Sequence, residues 1–579
     1  MLLIHDAQQQ QWLQFTQPQT VVVARSPDAI AGSLEAVQRH VDMGHYAAGF
    51  IAYEAAPGCE VALVAHEPDR FPLLWFGIYG EPQPVALPPA PTMTPLDWQP
   101  SITEAEYRQA IAAVKAQIAA GNTYQVNFSF RLRSPLSADP WGLFLQMVQA
   151  QSADYGAYLD LGDWVIASAS PELFFSRQGE HIVSRPMKGT VPRGLTLPED
   201  DAQAAWLRQS PKNQAENAMI VDMVRHDLGQ VAQVGSVCAP ELFALERYPT
   251  VWQMTSTVQA RSGASTAAVL QALFPPASIT GAPKASTTAL IAQLEASPRH
   301  IYTGSIGFMR PDGRSQFNVA IRTVLMDRQR QQAEYGVGGG IVWDSQAEEE
   351  YAECCTKAQV LHYQQPAFSL LESLRWTPAS GYFLLERHLA RLGQSARYFG
   401  FTYSPEAAQQ WLQHLARQAT APQKVRLLLH RDGTFSGEAI ALPAATSLIL
   451  GLAPQPVNSS DVFLRHKTTH RQVYQQARQA APPEWQDVLL WNERGEVTET
   501  TLGNIVIEVE GQRYTPPVTS GLLPGTLRAH LLDQGTLQER VITPEQASRC
   551  DRLFVINSVR GWQPVTALHT AQPNDRVLL

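Results

Sequence analysis

A single hydrophobic core stops growing well before a chain reaches 579 residues, so this sequence must divide into roughly three or four structural domains. Two breaks are readable. Pro82 to Pro100 holds seven prolines, which disfavour helix and sheet alike and read as an extended connector crossing between two lobes. It runs into Ser101-Ile-Thr-Glu104, which has the spacing of a capping box, and the helical period that follows predicts a helix from about Thr103 to Ala120. The second break falls near Gln364-Gln365-Pro366, after the helical run EEEYAECCTKAQVLHY and before the alternating segment AFSLLESLRW. No repeat relates the two sides, so two different modules are expected, residues 1–362 and 366–579.

Composition narrows the function classes. Apolar residues at 45% and charged residues at 17% describe a folded enzyme without a disorder signature. A net charge of −9 argues against nucleic acid or an acidic membrane as a partner, so an anionic ligand needs a specific site. Five cysteines with no CxxC pair suggest neither a disulfide framework nor zinc. The N-terminal segment lacks a basic stretch followed by an apolar run, and no stretch approaches a membrane span, so a cytoplasmic location is expected.

In the first module, Ser345-Gln-Ala-Glu348 has capping-box spacing just beyond the glycine-rich segment Gly338, Gly339, Gly340. In the helix it predicts, Glu350, Glu353 and Lys357 share one face, which suits a divalent cation together with the anion it neutralises. Standing alone, Glu353 and Lys357 read as an exposed ion pair. Glu216 reads as a first-turn glutamate opening AENAMIVDMV, with the apolar residues burying the other side. The glycine run reads either as amide donors open to an anion or as a plain strand turn.

Read in order, GNTYQVNFS, IASASPELFF, SRPMKGT, AENAMIVDMVRHDLG, SITGAPK, FNVAIRT and GVGGGIVWDS...EEEYAECCTKA resemble the chorismate-utilising enzymes, a family of anthranilate, isochorismate and aminodeoxychorismate synthases. The resemblance implies an α+β fold with large antiparallel sheets flanked by helices. It also implies magnesium at Glu216 and Glu353, with Glu350 nearby, holding the ring carboxylate of chorismate. The second carboxylate falls to Tyr302, Arg322, Gly338 to Gly340 and Lys357, and arginine can grip such a group bidentately. Lys188 stands where anthranilate synthases typically carry alanine and aminodeoxychorismate synthases lysine, so the resemblance implies a nucleophilic amine there. Glu172 matches the general acid, and Thr190 sits beside the ring. Three positions depart from the pattern: His226 replaces asparagine in Arg-Asn-Asp, Pro275-Pro276 replaces proline-glycine, and Gln253 replaces a histidine near the ring.

From Pro366 onward, HLARLGQSARYFGF, FLRHKTTHRQVYQQA, GEVTETTLGNIVIE, SGLLPGTLR and INSVRG resemble the class IV pyridoxal-phosphate enzymes, which include aminotransferases and aminodeoxychorismate lyase. The implied fold is fold-type IV, with two α/β subdomains. Lys467 aligns with the lysine that carries the cofactor and moves the substrate proton, and Glu499 with the carboxylate on the pyridine nitrogen. Arg391, Gly525, Thr526, Leu527 and Ser558 match the phosphate contacts.

The two resemblances together imply an α/β multidomain chain making para-aminobenzoate for folate. Chorismate is aminated to 4-amino-4-deoxychorismate, and pyruvate is then eliminated. No glutamine-amidotransferase segment is evident, so a separate glutaminase subunit is expected as the ammonia source, and class IV resemblance favours a homodimer through the second module. The alternatives are anthranilate or isochorismate synthesis fused to an amino-acid aminotransferase, or one silent module.

Overall fold

The computed structural model describes all residues except 92, 152, 364–365, 418–419, 444–445, 570–575 and 579. Gln364 and Gln365, where the second break was read, lie outside the described residues. Residues 1–192 with 204–365 form one compact unit, and residues 193–203 with 366–579 form the other. No helix among the described residues is long and apolar enough to cross a membrane.

The first unit is built on two ten-stranded antiparallel sheets. Leu2, Leu13, Phe15 and Ile166 of one sheet pack against Phe50, Ile306 and Phe308 of the other, so a face of each is buried between them. The outer faces take helices. Ile30–Asp42, Pro211–Gly229 and Thr266–Leu273 cover one sheet, and Glu104–Ala119, Pro140–Gln151, Lys284–Leu294 and Ala347–Ala358 cover the other. With both faces buried, strands such as Trp164–Ser170 and Ser305–Met309 are apolar or small throughout.

The proline connector does not itself cross between the sheets as expected: the chain changes sheet just after the strand Leu74–Tyr79, and both ends of the connector pair with the same sheet. Gln83–Val85 pairs with Trp12 to Gln14, and Gln99–Pro100 pairs with Leu132 and Arg133. Proline is tolerated there because an edge strand pairs on one side only. The helix after the connector is capped by Thr103, whose hydroxyl accepts from Glu106 N–H at 3.2 Å while Glu106 accepts from Thr103 N–H at 2.7 Å. Ser101 instead accepts from the Arg131 backbone N–H, which draws it into the sheet.

The second unit contains a four-stranded antiparallel sheet and a nine-stranded mixed sheet. Helices Leu385–Phe399 and Pro405–Ala416 pack on one face of the smaller sheet through Leu389, Leu392, Ala408 and Leu412, against Leu370, Leu374, Val425 and Leu427. In the larger sheet, Leu448–Leu452 runs parallel to both Asp487–Trp491 and Gly561–His569.

One buried network fixes the strand Gln125–Pro135 at the heart of the first unit. Arg299, 1% exposed, donates to Glu295 at 2.6 and 3.0 Å, to the Asn127 carbonyl at 2.7 Å and to the Ile279 carbonyl at 3.0 Å. Glu295 also accepts from Ser129 N–H. Removing one partner of a buried pair strands the other, so Arg299→Ala is expected to destabilise this unit by about 3–5 kcal/mol. The first unit's transition in urea measures it.

Candidate active sites

A cavity of about 140 Å³ in the first unit brings together Lys188, Glu172, Thr190, Tyr302, Arg322, Gly338, Gly340, Lys357, Glu216, Glu350 and Glu353, from six separate stretches of sequence. Gly339 lies in the same strand but not in the cavity wall.

Lys188 leaves the strand Met187–Pro192, and its amine donates to Asn127 Oδ1 at 3.1 Å. Burial lowers its pKa, with Lys357 acting in the same direction and Glu216 opposing. The glycines make this approach possible, and they belong to a regular strand, Gln332–Ile341, rather than a turn. A Cβ on Gly340 would stand 2.2 Å from Gln125 Nε2 and 2.8 Å from the Lys188 amine. Beyond Tyr335 the strand is paired on one side only, so alternate backbone amides are free of a ladder. Gln125 is fully buried, and neither its amide nitrogen nor its oxygen has a partner among the described residues.

Glu172 is 2% exposed, and burial pushes its carboxyl up to about 7. The Ser278 hydroxyl, donating at 2.6 Å, holds it back from a higher value. Asn127 and Ser278 are coupled in turn, since Asn127 Nδ2 donates to the Ser278 carbonyl at 2.9 Å. Both lie inside motifs quoted from the sequence, GNTYQVNFS and SITGAPK, but neither was given a role there, and Ser278 sits in the short 3-10 turn Ala277–Ile279.

The three glutamates approach the pocket from two helices. Glu216 sits in the second turn of Pro211–Gly229, because Ser210 and Pro211 start that helix earlier than its apolar period suggests. Glu350 and Glu353 lie on one face of Ala347–Ala358. The cap expected at Ser345 is absent. Its hydroxyl donates instead to Glu350 at 2.7 Å, and Gln346 occupies the cap position without a side-chain bond. Burial raises the carboxyls of Glu216 and Glu350, and repulsion from Glu353 adds to the second. Burial also works to raise Glu353, but Lys357 at 2.6 Å holds it below its ordinary value. No three acidic, histidine or cysteine side chains among the described residues converge closely enough to chelate a metal by themselves. Mutually repelling carboxylates facing one pocket nevertheless fit a hard cation that keeps water and takes substrate oxygens as ligands.

Arg322, in the left-handed region at φ 52°, donates to the Lys357 carbonyl, which also accepts from the Tyr335 hydroxyl at 3.0 Å. The Lys357 amine bonds the Gly338 carbonyl at 2.9 Å. Two of the departures from the family pattern are explained. His226 points to solvent, while its neighbour Asp227 carries the buried pair with Lys284 at 2.6 Å. Gln253 accepts from the Thr190 hydroxyl at 3.0 Å and donates to the Gly189 carbonyl at 3.1 Å, fixing the strand that carries Lys188.

The second unit holds a cavity of about 360 Å³, lined by Lys467, Glu499, Arg391, Gly525, Thr526, Leu527 and Ser558. Burial lowers the Lys467 amine to about 8, and Arg391 adds to the shift. Glu499, 3% exposed, is raised by burial to about 7 against the Tyr474 hydroxyl, which donates to it at 2.7 Å. Gly525 caps the helix Thr526–Asp533, whose first amides face the cavity as an anion site does. The Arg391 fork is committed to buried Glu372 at 2.7 and 2.9 Å. Glu372 also binds His388 Nδ1 at 2.6 Å, and His388 Nε2 lies 3.2 Å from the Thr526 hydroxyl. Sequence did not mark this relay, nor the cations Lys424, Arg426, Arg471 and Arg560 on the same wall.

Residues 1–363 match the family model of chorismate binding enzymes, and residues 369–568 match that of class IV amino-transferases. The chain belongs to the chorismate binding enzymes, and its C-terminal part has the class IV aminotransferase fold. Aminodeoxychorismate synthase component 1 of Salmonella typhimurium is 41% identical over 280 residues, which is 47% of this chain and 61% of that relative. An anthranilate synthase component 1 of Haloarcula marismortui is 39% identical over 261 residues, 45% of this chain and 53% of that protein. The chain thus spans a little over half the length of these relatives. Anthranilate synthase component I of Streptococcus pneumoniae shares the fold, with a TM-score of 0.53 at 23% identity over 61% of this chain and 92% of that one.

The Ser278 hydroxyl stabilises the ionised form of Glu172. Ser278→Ala is therefore expected to raise the Glu172 carboxyl further above 7, followed by carbon-13 NMR of labelled glutamate.

Proposed function

We propose that residues 1–362 aminate chorismate at C4 with ammonia and that residues 366–579 expel pyruvate from the product, so that the chain makes 4-aminobenzoate for folate by way of 4-amino-4-deoxychorismate. The observation that carries this reading is the Lys188 amine, 3.1 Å from Asn127 Oδ1 in a pocket that also holds the buried Glu172 carboxyl, which burial lifts to about 7.

Expelling a ring hydroxyl requires a proton, and attack requires a neutral amine. Lys188 supplies the amine, steadied by Asn127, and adds to the ring while Glu172 passes its proton to the C4 oxygen, which leaves as water. Ammonia then takes the C4 position and releases the lysine. Glu216 and Glu353, with Glu350 beside them, would hold magnesium, which would supply positive charge for one carboxylate of chorismate. Tyr302, Arg322, Lys357 and the strand amides at Gly338 and Gly340 receive the other, and Thr190, oriented by Gln253, borders the ring. A separate glutamine amidotransferase subunit delivers the ammonia, in keeping with relatives named as component 1 of their synthases. The chain works in the cytoplasm and pairs as a homodimer through its second unit.

In the second pocket, pyridoxal phosphate supplies an electron sink when bound. Lys467 holds it and, with an amine poised at about 8, moves the proton released from the substrate ring. Glu499, in the wall of the same cavity, would hold the proton on the pyridine nitrogen. The amides at Gly525, Thr526 and Leu527, Ser558 and the N–H groups of Arg391 not given to Glu372 and the Pro524 carbonyl would hold the phosphate.

Lys188→Ala is expected to lower ammonia-dependent amination at least about a hundredfold while leaving conversion of supplied 4-amino-4-deoxychorismate intact. Lys467→Ala reverses the pattern, and the intermediate accumulates. Full amination by Lys188→Ala overturns the nucleophilic role. Because Glu172 must carry its proton, wild-type amination is expected to fall as pH rises through about 7, and this limb disappears in the residual activity of Glu172→Gln.

A further inference from the structure

The second pocket carries more positive charge than a cofactor phosphate calls for. In the strand Gln423–Leu429, Val425, Leu427 and Leu429 face the core, so Lys424 and Arg426 emerge together on the opposite face, roughly 6.7 Å apart along the strand. Pairing sets Glu438 opposite Arg426 and Ile440 opposite Lys424 on that face. Arg471 and Arg560 complete the ring of cations around the same cavity.

Their partners are unequal. Arg391 is matched by Glu372, and Arg471 donates to the Thr501 carbonyl and lies 4.6 Å over the Tyr474 ring. Arg426 has Glu438 at 3.8 Å. The side chains of Lys424 and Arg560 have no ion pair or hydrogen bond among the described residues. Burial lowers the Lys424 pKa, and the positive charges of Arg560, Arg426 and Arg471 add to the shift, with Glu438 opposing. Cations gathered in a partly enclosed cavity with fewer carboxylates than positive charges are unfavourable until anions arrive. A phosphate at the start of the helix Thr526–Asp533 accounts for one anion, and Leu371, Ile440 and Leu502 leave apolar wall for a ring. A simple amino acid brings only one carboxylate to the cations that remain.

We propose that Lys424, Arg426 and Arg560 form a recognition site for two carboxylates, which makes the second centre select a cyclic dicarboxylate over a monocarboxylate amino acid. This rests on the lyase reading of that centre and assigns its substrate selectivity to three residues outside the cofactor's own contacts.

Supplying 4-amino-4-deoxychorismate directly to the full chain loaded with pyridoxal phosphate isolates the second reaction. Lys424→Met and Arg560→Met are each expected to raise KM about tenfold, with kcat within about threefold and the cofactor's visible absorbance and Kd unchanged. Lys424→Arg restores most of the KM. An unchanged KM in both methionine variants overturns the proposal, as does loss of cofactor from either, which would make these cations phosphate ligands. If the wild-type chain forms no 4-aminobenzoate from this substrate, the lyase reading itself fails. Binding of isophthalate against benzoate, followed by the cofactor's absorbance, then decides: about tenfold preference for isophthalate that Lys424→Met removes supports the site, and equal binding overturns it.

Discussion

An ammonium group withdrawn from water loses hydration worth several kcal/mol, and both pockets are organised around that penalty. Lys188 and Lys467 are each lowered first by burial and then by a neighbouring cation, Lys357 in one case and Arg391 in the other. Each also shares its cavity with a carboxyl, Glu172 or Glu499, that burial lifts to about 7. A low dielectric that disfavours the charged form of both partners brings the amine down and the carboxyl up, toward each other in pH. Nothing in either fold requires this pairing. The sheets and helices serve to hold it.

In the first unit the holding is done by the strand Gln125–Pro135. Arg299 and Glu295 fix its backbone at Asn127 and Ser129, and Asn127 then reaches Lys188 with its oxygen and the Ser278 carbonyl with its nitrogen. Ser278 completes the circuit to Glu172. The amine and the acid are therefore set by one chain of hydrogen bonds that begins in a buried ion pair. Gly340 leaves room for the amine from the next strand, where any side chain would collide with it.

Much of this was legible in the sequence, and the illegible part has physical causes. Helical spacing placed Glu350, Glu353 and Lys357 on one face, and all three line the cavity. The motifs that carry the two family resemblances located Lys188, Glu172, Lys467 and Glu499, whereas Lys188, Lys467 and Glu499 standing alone read as surface residues. Caps were less legible: Ser101 and Ser345 have the right spacing, but a backbone amide of the sheet claims one and Glu350 the other. The glycine run could not be told from a turn by sequence, since its purpose is a contact with a lysine about 150 residues away. Lys424 and Arg426 look like the exposed face of an alternating strand, and only the fold shows that this face lines a cavity.

The two pockets carry chemistry that is consecutive, since the product proposed for one is the substrate proposed for the other. Para and ortho amination of the same ring separate this reading from anthranilate synthesis, the activity named for one of the relatives. The most direct measurement gives the full chain chorismate, magnesium, pyridoxal phosphate and nitrogen-15 ammonium, and follows products by chromatography with mass detection. Nitrogen-15 4-aminobenzoate formed together with an equal amount of pyruvate is the predicted result. The ortho isomer, isochorismate, or unaltered chorismate would contradict it.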